Sequence, residues 1–377
     1  MQNNNIMKEK KYLIIPRPHI GDFIWVTSAV SILKKYDPKV KITVLIPEYL
    51  NELVENNYIF DNKINYNFKS FQTSNILLKI LYRILLFIKL IFVIRRYYFD
   101  CCFLFSPFPI FTKTVVFSGI GKIIFSANEC CGMKKESIES KFLNKFVSKN
   151  KLFPVQAYDN SDFIHYSEKW QTIVRSYLNS SNIALPVLPL NSKKNTVIVE
   201  ILKNKNKLKI LLCMNASKAS KNIWPHEYFK QTILEINRAT DASFFIVGGV
   251  EQYESVKSFI STFNNTNINM HNLCGKISLL DLRTLLDGSD LLISVDTGVS
   301  HIAATTRIKM ITLFGMAHPA GVMPMTPNNI SLYSSEKCSP CVYFQTFEKK
   351  KCPYNKPKCM ANITPEIVIK TALNILD

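Results

Sequence analysis

The stretch Ser289 to Gly315, SDLLISVDTGVSHIAATTRIKMITLFG, constrains this chain more than any other. Leu291 to Val295 is a continuous apolar run of strand length, the pattern of a strand buried on both faces, and Asp296-Thr297-Gly298 is turn chemistry. Val299 to Thr306 leaves room only for a short helix before the apolar run Met310 to Phe314 resumes as strand. A strand, turn, helix, strand unit predicts a parallel α/β sheet with the turn at its carboxyl edge. At that edge the first N–H groups of the helix have no partner and the helix dipole favours negative charge, so phosphate is the natural guest. Gly298 allows a close backbone approach, Asp296 or Thr297 can cap the helix, and His301 falls in its first turn. The same residues also suit an ordinary βαβ connection that holds no ligand.

The rest of the chain reads as two α/β halves. Tyr12 to Ile15 is a strand, and PRPHIGDF leads from it into a helix from about Ile24 to Lys35. Gly21 permits a geometry that other residues resist, which leaves Asp22 at or near the helix start, either as a cap or as a carboxylate at the carboxyl edge of the strand. Lys41 to Pro47, the run from Asp100 and Lys122 to Ser126 are further strands, and Glu136 to Lys151 and Tyr158 to Leu178 are helical in pattern. NIALPVLPLNSKKN, with its prolines and no periodicity, is a linker that places the domain boundary near residue 190. Beyond it, Leu208 to Met214 and Ser243 to Val247 are strands, the second ending in Gly248-Gly249, where a ligand can approach the backbone. Leu279, Leu282, Leu285 and Leu286 form the buried stripe of a later amphipathic helix.

Ile76 to Arg96, ILLKILYRILLFIKLIFVIRR, has the length of a membrane span, but Lys79, Arg83 and Lys89 interrupt it. An amphipathic helix fits better, packed on the sheet, lying on an anionic leaflet, or both. The net charge of +19 over 377 residues, with basic excess in both halves, favours an anionic partner: a phosphorylated ligand or an anionic membrane surface. With no Arg-rich tract or RNA-binding signature, nucleic acid is not expected. The polar start MQNNNIMKEKK lacks the apolar region of a signal peptide, so a cytoplasmic protein with reduced thiols is expected. Four of the ten cysteines, Cys338, Cys341, Cys352 and Cys359, fall close together with the first pair as CxxC, which suits either a structural zinc knuckle or free thiols.

DTGVSHIAA followed by a strand ending LFG resembles the nucleotide-sugar motif of glycosyltransferase family 9, the bacterial lipopolysaccharide heptosyltransferases. The segment IGDF at Ile20 to Phe23, Trp224-Pro225 at a helix start, and the cysteine-rich tail before Ile363-Thr364-Pro365-Glu366 are similar to other parts of that family. Arg17 lies one residue closer to Gly21-Asp22 than is typical, and Ser28 stands where Pro is common.

The resemblance implies a GT-B fold, two Rossmann-like α/β/α domains facing a cleft. An acceptor domain would span 1–190, a nucleotide-sugar domain 191–360, and a terminal helix over 361–377 would return to the first domain. It implies Asp22 as general base. Ser217, Lys218, Lys221, Gly248, Gly249, Asp296, Thr297, Gly298 and His301 would lie about the donor, with a lysine at 218 or 221 neutralising the departing pyrophosphate. No Asp-x-Asp occurs in the sequence, so no metal cofactor is expected in catalysis. The implied activity is inverting transfer from a nucleotide-diphospho-sugar, ADP-heptose by resemblance, to a lipid-linked saccharide at the inner face of the inner membrane. A nucleotide-sugar epimerase of similar fold and a noncatalytic nucleotide-sugar or membrane-surface binding protein are the alternatives.

Overall fold

The computed structural model describes residues 9–67, 76–106, 108–126, 143–145, 147–155, 164–191, 195–214, 222–343, 348–349, 352, 354 and 357–377. The chain divides into two compact units, Met1–Pro189 and Leu190–Asp377.

The first unit runs β1 (Lys11–Ile15), α1 (Ile20–Tyr36), β2 (Lys41–Pro47), α2 (Asn51–Val54), β3 (Asn62–Tyr66), α3 (Ile76–Tyr97), β4 (Cys101–Leu104), α4 (Pro109–Phe117), β5 (Lys122–Ser126), β6 (Leu152–Val155) and α5 (Tyr166–Leu178). Its six strands are all parallel, in the order β3-β2-β1-β4-β5-β6. Every residue of β2 after Lys41 is buried, as a strand covered on both faces requires. Leu13, Ile15, Leu45, Leu104 and Phe125 meet Leu86, Leu90 and Ile94 of α3, spaced four apart along one helical stripe.

The second unit runs α6 (Thr196–Lys203), β7 (Lys209–Cys213), α7 (His226–Thr240), β8 (Ser243–Ile246), α8 (Tyr253–Ser261), β9 (Asn269–Asn272), α9 (Leu279–Asp287), β10 (Leu291–Val295), α10 (Gly298–Ala303), β11 (Lys309–Phe314), α11 (Pro319–Val322), β12 (Asn329–Tyr333), the short antiparallel pair β13 (Val342–Tyr343) and β14 (Glu348–Lys349), α12 (Lys358–Ala361) and α13 (Pro365–Leu376). The sheet order is β12-β11-β10-β7-β8-β9, again all parallel. Numbered from the first strand of each unit, both sheets follow the doubly wound order 3-2-1-4-5-6, whose strand order reverses between its first and fourth strands. That switch point falls between β1 and β4 in one unit and between β7 and β10 in the other.

Several expectations are corrected here. Helix α1 begins at Ile20 rather than Ile24, so Gly21 is an ordinary helical residue rather than part of a turn. Leu280 takes the buried place in α9 that was expected of Leu279, beside the buried Leu282, Leu285 and Leu286. In the last helix, Val368 and Ala372 join the core that holds Phe229, Ile233 and Ile236 of α7. Helix α6 rises at the end of the segment read as linker, where Asn195 caps it by accepting from the Val197 N–H.

Candidate functional site

In the first unit the switch point is occupied by Asp22. It sits in the first turn of α1, the helix that follows β1 after the loop of residues 16–19, with its side chain 13% exposed. The N-cap residue is His19, which makes no side-chain cap, so Asp22 is not the cap that was one of its two expected roles. Burial raises its pKa, and the charges of Arg17 and His19 act against that rise. Arg17 Nη1 lies 3.8 Å from Oδ1 of Asp22, and the same guanidinium stands over the rings of Tyr166 at 5.0 Å and Trp170 at 5.6 Å. The phenol of Tyr49 is pushed up to about 12, first by burial and then by the Asp22 charge. A carboxylate held between desolvation and two basic neighbours is equipped to take a proton.

Ser28, at the position where Pro is common in the family resemblance, has a specific structural use. Its hydroxyl meets Ser167 Oγ at 2.9 Å and accepts from Gln171 Nε2 at 3.2 Å, fastening α1 to α5 inside the unit. Gln171 also donates to Ala184 O and accepts from the Ala184 N–H, both at 3.0 Å. The chain leaving α5 is thereby fixed beside the helix that carries Asp22.

In the second unit the switch point gathers Asp296, Thr297, His301 and Asn222. Thr297, not Asp296, caps α10: its Oγ1 accepts from the Val299 N–H at 3.2 Å and lies 3.6 Å from Cys213 Sγ at the end of β7. Asp296 turns inward instead. Nδ2 of Asn222 donates to its Oδ2 at 3.4 Å, and His301 Nε2 lies 3.8 Å from its Oδ1. Burial pushes the Asp296 carboxyl up to about 7, with the Asn222 amide pulling the other way. Asn222 is itself oriented, since its Oδ1 accepts from the Met316 N–H at 3.0 Å beyond β11.

Of the remaining donor-site expectations, Gly298 is the first residue of α10, and Gly248 and Gly249 follow β8, the strand next to β7. A Cβ at Gly248 would meet the end of the Gln252 side chain and one at Gly249 the end of the Glu251 side chain, flexible groups that can move aside. Ser217, Lys218 and Lys221 lie outside the described residues. Trp224 is fully buried and donates from Nε1 to Ile363 O at 2.7 Å, which makes the Trp-Pro segment an anchor between β7 and the chain terminus. Asn222 was missed as a site residue; its nearness to Trp224-Pro225 was the available signal.

In the tail, burial and then the charges of Cys341, Cys338 and Cys352 push the Cys359 thiol up to about 11, so the four cysteines share one neighbourhood. Among the described residues, however, no three His, Cys, Asp or Glu side chains converge closely enough to hold a metal ion.

Two parallel six-stranded sheets of doubly wound order, each with a buried polar group at its switch point, define an α/β protein of the GT-B class. The family model described as glycosyltransferase family 9 (heptosyltransferase) matches residues 139–352, more than half of the chain, and the chain belongs to that family. It is 28% identical over 218 residues to a lipooligosaccharide heptosyltransferase 2 of Campylobacter jejuni, a match covering 56% of this chain and 65% of that protein, slightly under two thirds of the relative's length. Its fold is similar to the E. coli structure titled ADP-heptose lps heptosyltransferase II, with TM-score 0.73, 15% identity, and coverage of 97% of this chain and 98% of the other. A family 9 structure from Veillonella parvula is similar at TM-score 0.73 and 17% identity, with 97% of each chain covered. At those identities the likeness to the solved structures is one of fold.

Proposed function

We propose that this protein is an inverting glycosyltransferase that moves heptose from ADP-heptose to a lipopolysaccharide core or a related lipid-linked saccharide. Family membership supports the class, and the names carried by the Campylobacter and E. coli relatives support the sugar and the acceptor. The observation that carries the reading is Asp22, a largely buried carboxylate at a switch point with Arg17 beside it.

In this reading Asp22 takes the proton of the acceptor hydroxyl as its oxygen bonds to the anomeric carbon from the face opposite the nucleotide. The bond from that carbon to the phosphate oxygen breaks, ADP leaves with the electron pair, and the configuration inverts. Burial raises the affinity of the Asp22 carboxylate for a proton, and the charges of Arg17 and His19 act against that rise. Charge growing on the diphosphate falls on the backbone at Thr297 and Gly298, with Ser217 and one of Lys218 and Lys221 assisting and His301 orienting the donor beside Gly248 and Gly249. No cofactor takes part, a reading supported by the lack of an Asp-x-Asp motif. The protein works in the cytoplasm as a peripheral protein on the inner face of the inner membrane. Structural zinc at the cysteine tail remains a separate proposal, resting on the shared neighbourhood of the four thiols.

The test is a transfer assay with ADP-heptose and a truncated lipopolysaccharide acceptor, with product analysis. A β-donor, α-product outcome or its reverse, dependent on acceptor, supports the reading. Conversion of the sugar with donor alone would instead make the protein an epimerase, and donor binding without any product would leave a binding protein.

A further inference from the structure

A helix that covers an α/β sheet normally turns a polar face outward, and α3 does not. While Leu86, Leu90 and Ile94 face the core, the opposite side presents Leu77, Leu81, Ile84, Leu85, Ile88 and Phe92, all exposed, with Leu77 at 78%. Their spacing of four, three, one, three and four residues draws one continuous stripe. Exposed apolar surface of this extent marks an interaction face.

Beside this stripe, α3 and α4 part to form a cavity of about 500 Å³. Ile80, Ile84 and Phe87 form one wall, Phe108 and Phe111 the other, and Tyr66 at the end of β3 packs on Phe111 with ring centroids 5.2 Å apart. The charged residues lining it are Arg83 and Lys113. The exposed charges of the two helices have the same sign: α3 carries Arg83, Lys89, Arg95 and Arg96, α4 carries Lys113, and neither helix contains an acid. No helix among the described residues is long and apolar enough to cross a membrane, so α3 cannot satisfy its outer stripe by spanning one.

We infer that the α3–α4 face is a docking site for an anionic lipid leaflet, with one acyl chain entering the groove and its headgroup held by Arg83 and Lys113. The apolar stripe enters the boundary of headgroups and chains, and the acid-free ring of cations meets the anionic charge. A protein partner would have to match an apolar stripe and a purely cationic border together, which an anionic amphiphile does by its own chemistry. The inference extends the proposed lipid-linked acceptor but does not depend on transfer, because it is tested without donor sugar.

The experiment measures binding of the full chain to phosphatidylcholine vesicles with and without phosphatidylglycerol, at low and high salt, with brominated acyl chains as quenchers. Wild type is expected to bind the anionic vesicles and to be released by salt. Arg83→Ala with Lys113→Ala should weaken binding roughly 30-fold, from about 1 kcal/mol per basic group at an anionic surface. Leu81→Glu, on the exposed stripe, should abolish binding while the circular dichroism spectrum persists. Phe108→Trp should gain fluorescence that acyl-chain bromine quenches beyond the wild-type level. Binding without that added quenching would overturn the groove as an acyl-chain site. Absence of vesicle binding, or a vesicle-free dimer that Leu81→Glu converts to monomer, would overturn the inference and assign the face to a second copy.

Discussion

Asn222 and Asp296 stand 74 positions apart in the chain, yet the amide of one donates to the carboxylate of the other at 3.4 Å. Because Asn222 also accepts from the Met316 N–H, it joins the loops that follow β7, β10 and β11 at a single buried point. Replacing Asn222 with Ala removes both bonds and leaves the Met316 N–H and Asp296 short of a partner. A loss of about 1–3 kcal/mol is expected in urea unfolding, together with weaker nucleotide-sugar binding. Unchanged stability and affinity would show that the contact matters to neither.

The Asp296 carboxyl gives the stability a characteristic pH dependence. Its folded pKa, pushed up to about 7, lies above the value of 3.8 for an unperturbed carboxyl. Between those values the native state holds a proton that the unfolded state has lost, so stability from this group falls as pH rises from about 4 towards about 7. Asp296→Asn should therefore gain on wild type across that window and show a flatter profile, as measured by melting temperature against pH. Parallel profiles for the two proteins would contradict the buried carboxyl.

Local pattern was enough to read β2, β5 and β10, since a short apolar run bounded by turn residues has few alternatives. It was not enough for β6, where LFPV is short and contains a proline, or for α6, which follows a proline-rich segment and owes its start to the Asn195 cap. The candidate site was legible in the same uneven way. Asp22 and Thr297 each stand at the start of a helix that follows a strand and are betrayed by position, whereas the pairing of Asn222 with Asp296 is created by sheet order and leaves no local trace. Leu280 and Leu279 could not be ranked from sequence because both lie within one helical turn of the same stripe.

Ser28 offers a test of how the Asp22 helix is held. Ser28→Ala leaves Ser167 and Gln171 without a shared buried hydroxyl, and a cost of roughly 1–3 kcal/mol in stability is expected. Donor affinity should not change. A stability loss well below that range would mean that Gln171 is satisfied by its two bonds to Ala184.

Chelation separates the two metal questions. Transfer should survive brief exposure to EDTA, and a prompt loss restored by magnesium or manganese would overturn metal independence. Elemental analysis addresses the cysteine tail: zinc near one equivalent would mean that Cys338, Cys341, Cys352 and Cys359 close further together than they stand, and its absence would leave four thiols.

Asp22→Asn tests the central claim most directly. The substitution keeps the size of the side chain in the first turn of α1 and removes the basic carboxylate. The measurement is turnover with ADP-heptose and acceptor, taken beside donor affinity and melting temperature on the same preparation. The expected result is turnover lower by roughly 10²–10⁴ with affinity and melting temperature held near wild type. Full turnover in the variant, or a fall in turnover that only tracks loss of the fold, would contradict Asp22 as the base.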